Sequence, residues 1–198
     1  MPTKILKKKR CAWIGDWSKI NPIMLEYHDT EWGVPLHDDQ KLFEFLTLDA
    51  FQAGLNWEIV LNKRKNFKRA FNNFNFGKIA RYTKKDVKRL LSDAGIIRNR
   101  LKIQATITNA KEFLKVKKEF GSFDRYIWQF VNHKTIQNRY KSLKDLPAKS
   151  AESDAMSRDL KGRGFKFVGS TICYAFMQAI GMVNDHTIYC FRYREVQK

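Results

Sequence analysis

Acidic residues are scarce in this chain relative to basic ones. Its 198 residues include 20 aspartates and glutamates against 38 lysines and arginines, which gives a formal net charge of +18. An excess of that size favours a polyanionic partner, with nucleic acid as the first interpretation and an anionic membrane surface as the second. A charge that serves only solubility ranks behind both, because so large an excess is costly in self-repulsion on a small domain.

Cysteine is also scarce, and long apolar runs are missing. Cys11, Cys173 and Cys190 are an odd number of cysteines, which argues against a disulfide framework and favours metal binding or plain burial. No stretch reaches the length of a membrane span, and no apolar core follows the basic start as it would in a signal peptide. We therefore expect a cytoplasmic protein in which residues 1–9 form a flexible basic leader.

Alternating strand patterns are essentially absent, whereas helical periodicity covers most of the chain. The pattern predicts an all-α fold. Asp38 or Asp39 can cap one helix, and Thr83 with Asp86 imitates a capping box at the start of another. The predicted helical segments are about residues 38–54, 57–69, 83–94, 98–120, 123–131, 151–162, 170–180 and 187–196, with a loop over 133–150.

Two Cys–His pairs, one near each end of the chain, together suggest a metal site. Cys11 precedes His28, and His186 lies four residues before Cys190, so both of these side chains point to one face if this segment is helical. Either pair alone is a weak signal, for which chance burial is the better interpretation. Together they have the Cys₂His₂ composition of a closed tetrahedral zinc site, which has no open position for water and is therefore structural.

A glycine-rich basic segment separates the predicted helices at 151–162 and 170–180. Gly164 and Gly169 let the backbone approach a partner closely, and Arg163 and Lys166 supply charge. A helix beginning at Ser170 presents free N–H groups suited to phosphate. The segment resembles the hairpin of the helix-hairpin-helix DNA-binding motif, with two more residues than usual between its glycines. A plain turn between helices is the alternative.

Seven short motifs follow one another between Arg10 and Cys190. They are RCAW (10–13), YHDTEWGVP (27–35), QAGLNW (52–57), DAGIIR (93–98), FVNH (130–133), RGFKFVG (163–169) and VNDH (183–186). In this order they resemble the 3-methyladenine DNA glycosylase I family. We know of no unrelated family that shares the series.

The resemblance implies a helix-hairpin-helix DNA glycosylase fold that forms one domain over residues 10–198, with a base pocket between two helical lobes. It also implies one structural zinc that joins the two ends of the chain. The implied activity is the hydrolysis of the N-glycosidic bond of 3-methyladenine in alkylated double-stranded DNA, with free 3-methyladenine as the product. We expect a monomer that contacts no membrane. The residues at the family's zinc positions are Cys11, His28, His186 and Cys190.

The same resemblance assigns the base pocket. Tyr27 and Trp57 stand at its tyrosine and tryptophan positions, and Trp13 and Trp32 match two more aromatic positions. The family has a glutamate where this chain has Asp49, and the following Ala50-Phe51 also differ from the family's residues. Aspartate keeps the charge, but it is one methylene shorter, so its oxygens retreat by about 1.5 Å.

Methylation at N3 makes adenine a cationic leaving group, so the pocket needs to supply selectivity and position more than a strong acid. Asp49 is the first candidate for the catalytic carboxylate, and Asp185 is the second, with a helix cap beside a zinc ligand as its structural alternative. No lysine stands out as a Schiff-base nucleophile, so we predict no lyase activity. Two other hypotheses stay open. One is a diverged relative with another substrate or no activity, and the other is a nucleic-acid-binding module that is stabilised by zinc and has no catalytic activity.

Overall fold

The computed structural model describes residues 8–15 and 19–197, and this part of the chain is mostly helical, as the periodicity predicts. None of its helices is both long and apolar enough to cross a bilayer. The helices are α1 (Pro22–Thr30), α2 (Asp39–Gln52), α3 (Trp57–Ala70), α4 (Phe76–Ile79), α5 (Lys84–Ser92), α6 (Arg100–Phe120), α7 (Phe123–Trp128), α8 (Ala151–Gly162), α9 (Ser170–Ala179) and α10 (Arg192–Glu195).

The helix starts follow from side-chain caps. The Asp38 carboxylate accepts a hydrogen bond from the Lys41 backbone N–H (2.9 Å) at the start of α2. Thr83 and Asp86 form the expected capping box at α5. Such caps satisfy N–H groups that have no partner within the helix. The predicted boundaries of α2, α3, α5, α6, α8 and α9 are confirmed to within a few residues, and residues 123–131 are helical as α7 and the 3₁₀ turn Gln129–Val131.

The predicted helix over residues 187–196 is wrong. The chain forms a short strand, β2 (Val183–Asn184), then a tight turn in which the Cys190 N–H donates to the Thr187 carbonyl (2.7 Å). Only α10 is helical there. The 3.6-residue pattern failed because His186 and Cys190 point into a side-chain cluster with the other end of the chain, and not along a helix face.

A small parallel sheet and helix α1 were not predicted. Strand β1 (Ile136–Gln137) pairs with β2 in the register Ile136↔Val183 and Gln137↔Asn184. Most of the predicted loop over 133–150 is otherwise irregular, with a 3₁₀ turn at Leu143–Asp145. Helix α1 begins where the Asn21 side chain accepts from the Ile23 N–H, with proline in the first turn. This helix carries His28.

Helix α2 is the central element, because every residue from Leu42 to Phe51 is buried. Its aromatic side chains meet those of neighbouring helices, as where Phe43 contacts Phe113 at 5.2 Å between ring centroids. The buried Lys102 of α6 caps the C-terminus of α2, since the Lys102 Nζ donates to the carbonyls of Phe51 (2.7 Å) and Ala53 (2.6 Å). Because α2 is buried on all sides from Leu42 to Phe51, the side chain of Asp49 near its C-terminal end is held in a fixed position.

Residues 1–7 of the predicted basic leader lie outside the described residues. Its last two residues, Lys8 and Lys9, lie against the C-terminal segment. The Lys9 carbonyl accepts from the Phe191 N–H (2.9 Å), and the Lys8 ammonium lies 4.1 Å from the centroid of the Phe191 ring. Lys8 and Lys9 therefore contact the rest of the protein, although they precede the boundary predicted at residue 10.

Candidate functional site

Four metal-ligand side chains from the two ends of the chain meet in one buried cluster. The ligand atoms of Cys11, His28, His186 and Cys190 all lie within 4.8 Å of one another, and all four residues are buried. Cys11 Sγ and Cys190 Sγ each lie 3.5 Å from Nδ1 of His186, and Cys190 Sγ lies 3.6 Å from Nε2 of His28. The cluster could hold a metal ion.

The second nitrogen of each imidazole is held by a neighbour. His28 Nδ1 lies 2.8 Å from the Asp29 carboxylate, which in turn accepts hydrogen bonds from Nε and Nη2 of Arg10. His186 Nε2 lies 3.0 Å from the Trp32 carbonyl, and since a carbonyl only accepts, this nitrogen carries the proton. Both rings thus turn an unprotonated nitrogen towards the sulfurs, which is the arrangement of ligating histidines.

The electrostatics of the cluster favour the charged forms of Asp29 and of one of the two thiols. Burial opposes the ionisation of Asp29, but hydrogen bonds from Arg10 and His28 outweigh it and lower the pKa of this carboxyl. The hydrogen bond between the two thiols lowers the pKa of Cys190 and raises that of Cys11. A thiolate is the form that binds a metal.

A separate cavity of about 270 Å³ lies beside this cluster. Its aromatic walls include Tyr27 and Trp57, whose ring centroids are 5.4 Å apart, and Trp13 and Trp32, which are 5.1 Å apart edge to face. All five residues that the sequence assigns to a base pocket line it, including Asp49. The other lining residues are Gln52, Leu143, Leu146, Ala175 and Gln178.

Unsatisfied polar atoms concentrate in this cavity. In the described residues, four buried side-chain polar atoms have no hydrogen-bond partner, and three of them belong to residues of the cavity wall: Trp13 Nε1, Trp57 Nε1 and Asp49 Oδ2. Buried polar groups are nearly always paired, so each exception needs an explanation. Two donors and one acceptor around one cavity are explained by a ligand that carries both acceptors and donors.

Burial dominates the chemistry of Asp49. Its residue is 3% exposed, and desolvation raises the pKa of the carboxyl well above its ordinary value. Burial, then the nearby Asp49 and Glu31, also raise the pKa of Tyr27. A buried carboxyl without a partner favours a positively charged ligand, because a cation restores the ionised form that burial disfavours.

The metal-ligand cluster and the cavity share two aromatic residues. The Trp32 backbone carbonyl accepts from His186, and the Trp13 ring lies 5.2 Å from that of His28. Both tryptophans also line the cavity. The cluster therefore supports one wall of the pocket from behind.

A larger cavity, of about 440 Å³, is also lined by Tyr27, but its most buried charged groups already have partners. Arg64 donates from Nε to Glu44 (2.6 Å) and from Nη1 to Glu31 (2.7 Å). None of the unpartnered buried atoms in the described residues belongs to its lining. Volume does not identify the site, because this cavity and three others exceed 270 Å³, whereas the unpaired polar atoms point to the smaller one.

The glycine-rich segment joins α8 to α9 as a short hairpin. Gly164 has a φ of +96°, which a residue with a side chain rarely adopts. The amide of Asn109 holds the hairpin at both backbone groups of Lys166, by accepting from its N–H (2.8 Å) and donating to its carbonyl (3.0 Å). The Lys166 side chain is exposed, and Gly169 is the N-cap residue of α9.

Arg163 of the hairpin is engaged within the protein. Its guanidinium forms ion pairs with Asp159 and Glu119, each at 2.7 Å, and lies about 5 Å over the rings of Phe120 and Tyr126. The hydrogen bond with Glu119 is the main cause that raises its pKa further. Its charge is balanced locally, unlike that of Lys166.

Asp185 is not a helix cap. It is buried, and its carboxylate accepts from the side chains of Asn138, Tyr174 and Gln178, each at 2.7 Å. It does not line the cavity, whereas Gln178 does. Sequence analysis missed Gln178, since a glutamine on the last turn of an apolar helix carries no motif.

Known proteins resemble the chain over nearly its whole length. A family model described as methyladenine glycosylase matches residues 17–193. The DNA-3-methyladenine glycosylase 1 of Escherichia coli (strain K12) is 47% identical over 185 residues, which are 93% of this chain and 97% of that protein. A crystal structure of a 3-methyladenine DNA glycosylase I has a TM-score of 0.88 at 46% identity, over 92% of this chain and 98% of that one. A variant of such an enzyme in complex with 3-methyladenine has a TM-score of 0.85 at 33% identity, over 88% of this chain and 94% of that one.

Proposed function

This chain belongs to the methyladenine glycosylase family, and we propose that it excises 3-methyladenine from alkylated double-stranded DNA by hydrolysing the N-glycosidic bond. The observation that carries the proposal is the aromatic cavity with its unpaired donors on Trp13 and Trp57 and its unpaired acceptor on Asp49. A methylated adenine that is flipped out of the helix presents an exocyclic amine, ring nitrogens and a positive charge to these groups. Flipping costs a few kcal/mol, and less for a damaged base.

Selectivity follows from the charge of the base. Tyr27 and Trp57 offer electron-rich faces, and a cation–π contact is worth about 0.5–2 kcal/mol, more where water is excluded. The Asp49 carboxylate accepts from the exocyclic amine and stabilises the positive ring. Neutral adenine has the same amine but no positive charge, so it gains neither the cation–π attraction nor the charge pairing and leaves the buried carboxyl poorly compensated.

The bond that breaks joins C1′ of the sugar to N9 of the base, and its electron pair goes to N9. The cationic base thereby leaves as neutral 3-methyladenine, so no strong general acid is required. The sugar passes through an oxocarbenium-like state. Water adds its oxygen to C1′ and releases a proton to solvent.

The reaction is hydrolysis without lyase activity. Lyase chemistry needs a free amine near the sugar. Lys102 is the buried lysine of the described residues, and its Nζ already donates to two backbone carbonyls at the end of α2. Burial also lowers its pKa, but the two carbonyls occupy the amine as a cap.

The hairpin between α8 and α9 contacts the DNA backbone in the helix-hairpin-helix manner. Gly164 and Gly169 allow close approach, the N-terminus of α9 at Ser170 offers free N–H groups, and the exposed Lys166 adds a charge. Arg163 serves this surface by holding the hairpin to α6 and α8, since its guanidinium is bound to Glu119 and Asp159. The net charge of +18 supports the same partner.

The ion of the Cys–His cluster is a structural zinc. With Zn–S bonds of about 2.3 Å and Zn–N bonds of about 2.0–2.1 Å, a tetrahedral site separates sulfur from nitrogen by about 3.6 Å. The separations of 3.5 and 3.6 Å between Cys11, Cys190 and the two imidazoles fit this value. Cys11, His28, His186 and Cys190 would hold the ion as four protein ligands, so zinc would supply stability here, and His186 holds the Trp32 carbonyl.

The protein acts as a monomer in the bacterial cytoplasm, where its substrate, the nucleoid DNA, lies. Residues 10–198 form one domain of two helical lobes with the base pocket between them. Contributions to the cavity wall from distant segments, such as Tyr27 in α1 and Ala175 in α9, support that arrangement.

The first experiment measures free base released from methylated DNA, with the product identified by chromatography. We expect prompt release of 3-methyladenine, with 7-methylguanine left in place. Asp49→Asn should reduce release by about 10²–10³-fold, the usual effect of removing one electrostatic contact at a reacting centre, and leave DNA affinity intact. Asp154→Asn is the matched control, since this aspartate is 42% exposed and does not line the cavity.

Two outcomes would select another function. DNA binding without base release, with activity restored by Asp49→Glu, would indicate a diverged relative whose shorter carboxylate no longer reaches the base. DNA binding without release in either form would indicate a binding module, and would overturn the proposal.

A further inference from the structure

The side-chain amide of Gln178 lies in the wall of the base pocket and is held in one orientation. Gln178 is on the last turn of α9 and lines the cavity together with Asp49 and Trp57. Its Nε2 donates to Asp185 Oδ2 at 2.7 Å. Within the described residues, its Oε1 has no hydrogen-bond partner.

The surroundings of Asp185 fix which end of the amide faces the cavity. The Asp185 residue is 1% exposed, and its two oxygens accept from Asn138 Nδ2, the Tyr174 hydroxyl and Gln178 Nε2. A carboxylate with three donors around it accepts and does not donate. The nitrogen of the Gln178 amide must therefore face Asp185, and the oxygen is the atom left for the cavity.

We propose that Gln178 is a specificity-determining residue, whose Oε1 accepts a hydrogen bond from the exocyclic amine of the flipped base, and that Asp185 is the positioning residue that holds it there. The proposal rests on the proposed function. It adds a second acceptor to the one on Asp49, and two acceptors match an amine with two hydrogens.

The arrangement distinguishes adenine from guanine. Adenine carries an amine at C6, whereas guanine carries a carbonyl oxygen at this position. A guanine O6 would face acceptor atoms only, and a site built to hydrogen-bond one group strongly rejects an analogue that leaves its buried atoms unpaired. Cation–π attraction cannot make this distinction, because methylation makes both purines positive.

The test compares the unmodified protein with a variant that lacks the acceptor. Gln178→Met is similar in size and has no oxygen, so it removes the acceptor that the unmodified protein presents to the cavity. Binding of free 3-methyladenine and free 3-methylguanine is measured by the fluorescence of the pocket tryptophans. Excision of both bases from the same methylated DNA is measured beside it. The thermal midpoint of each variant reports folding.

Gln178→Met should weaken binding of 3-methyladenine about tenfold, the usual effect of one lost hydrogen bond, without weakening 3-methylguanine. Equal losses for the two bases, or no loss in Gln178→Met, would overturn the proposal.

Asp185→Asn provides a second, independent test. The carboxamide has one neutral accepting oxygen in place of two charged ones, so it cannot pair with Asn138, Tyr174 and Gln178 in their present orientations. The Gln178 amide thereby loses the charged partner that fixes it and becomes free to turn Nε2 to the cavity. The preference for 3-methyladenine over 3-methylguanine should fall. Tyr174→Phe is the matched control, because it removes another donor to Asp185 without turning the amide, and it should keep the preference.

The two tests separate failure of this inference from failure of the proposed function. If the unmodified protein releases no methylated base, the proposed function fails, whatever the variants do. If it releases 3-methyladenine and Gln178→Met gives no folded protein, Asp185→Asn decides the question. An unchanged preference in folded Asp185→Asn would overturn the inference.

Discussion

The Cys–His cluster and the base pocket are neighbours that share Trp13 and Trp32, yet they treat polar groups in opposite ways. In the cluster, the imidazoles of His28 and His186 each have a fixed partner outside the ligand set. In the pocket, Asp49 Oδ2 and the two indole N–H groups have none. Both regions are buried, so burial does not explain the difference.

The pairing of polar groups distinguishes a site that stabilises the fold from a site that binds a ligand. Groups that are fully paired contribute to the stability of the folded chain, whereas unpaired buried groups cost about 1–3 kcal/mol each. Such a cost persists at functional sites because a substrate repays it on binding. Loss of one side chain from the cluster should therefore lower the stability of the folded protein, and loss of the pocket carboxylate should raise it.

Loss of a cluster ligand should have the largest effect, and it should be on stability. Structural zinc contributes about 10–16 kcal/mol in zinc-finger peptides, so Cys190→Ser should lower the thermal midpoint steeply and abolish the bound metal. A loss of about 4 kcal/mol alone shifts the midpoint of a chain of this size by roughly 8–16 °C. Calorimetry and metal analysis of the purified variant measure both effects.

Cys173→Ser is the matched control, since Cys173 is equally buried, lies outside the cluster and donates only to the Val168 carbonyl. Chelation of the metal at a temperature where the chain stays folded should leave kcat for base release unchanged. Loss of kcat in that folded protein would contradict the structural role of the ion.

Loss of the pocket carboxylate should have the opposite sign. Burial raises the pKa of Asp49 above its ordinary value of 3.8, so its contribution to stability is fully present below that value and is lost as pH rises through the raised pKa. Asp49→Asn should therefore become more stable relative to the unmodified protein as pH rises across this window. Urea unfolding of both proteins as a function of pH measures the difference.

The same pKa predicts an acidic limb in kcat/KM, because protonated Asp49 does not stabilise the cationic base. The limb should be absent from the residual activity of Asp49→Asn. A limb that persists in the variant would mean that another group titrates, and a stability difference that does not depend on pH would mean that Asp49 stays ionised in the folded protein.

The smallest effects concern the hairpin, where Lys166 and Arg163 repeat the contrast between an unpaired and a paired charge. Lys166→Ala should weaken DNA binding and reduce the dependence of log K on log salt by about one unit. Arg163→Ala should leave that dependence unchanged and lower the free energy of unfolding, since Glu119 and Asp159 lose their partner. Equal salt dependence in the two variants would contradict the assignment.

Local sequence signals predicted most of the helices. The Asp38 cap and the Thr83–Asp86 box specify helix starts through bonds between residues close in the chain, so the sequence contains all the information they need. The turn over residues 186–190, which carries two of the cluster ligands, is not specified by such local signals. It depends on contacts with Cys11 and His28, more than 150 residues away, and local periodicity cannot register them.

The candidate site divides in the same way. Tyr27, Trp57, Trp13, Trp32 and Asp49 were assigned by their place in motifs, and all of them line one cavity. Gln178 and Leu143 line it as well, but nothing in the sequence around them marks the role. Leu143 is 48% exposed on an irregular segment that the pairing of β1 with β2 brings to the C-terminal region.

Residue identity and spacing along the chain were enough to establish the helical class, the basic charge and the ligand types of the cluster, whereas the aromatic residues of the pocket were assigned through the resemblance to a known family. Which polar groups find partners is settled in the folded molecule alone. Asp185 is satisfied by three donors, and Asp49, equally buried, is left with an unpaired oxygen. Pairing depends on distances and angles between atoms from remote segments, and those exist only once the chain has folded.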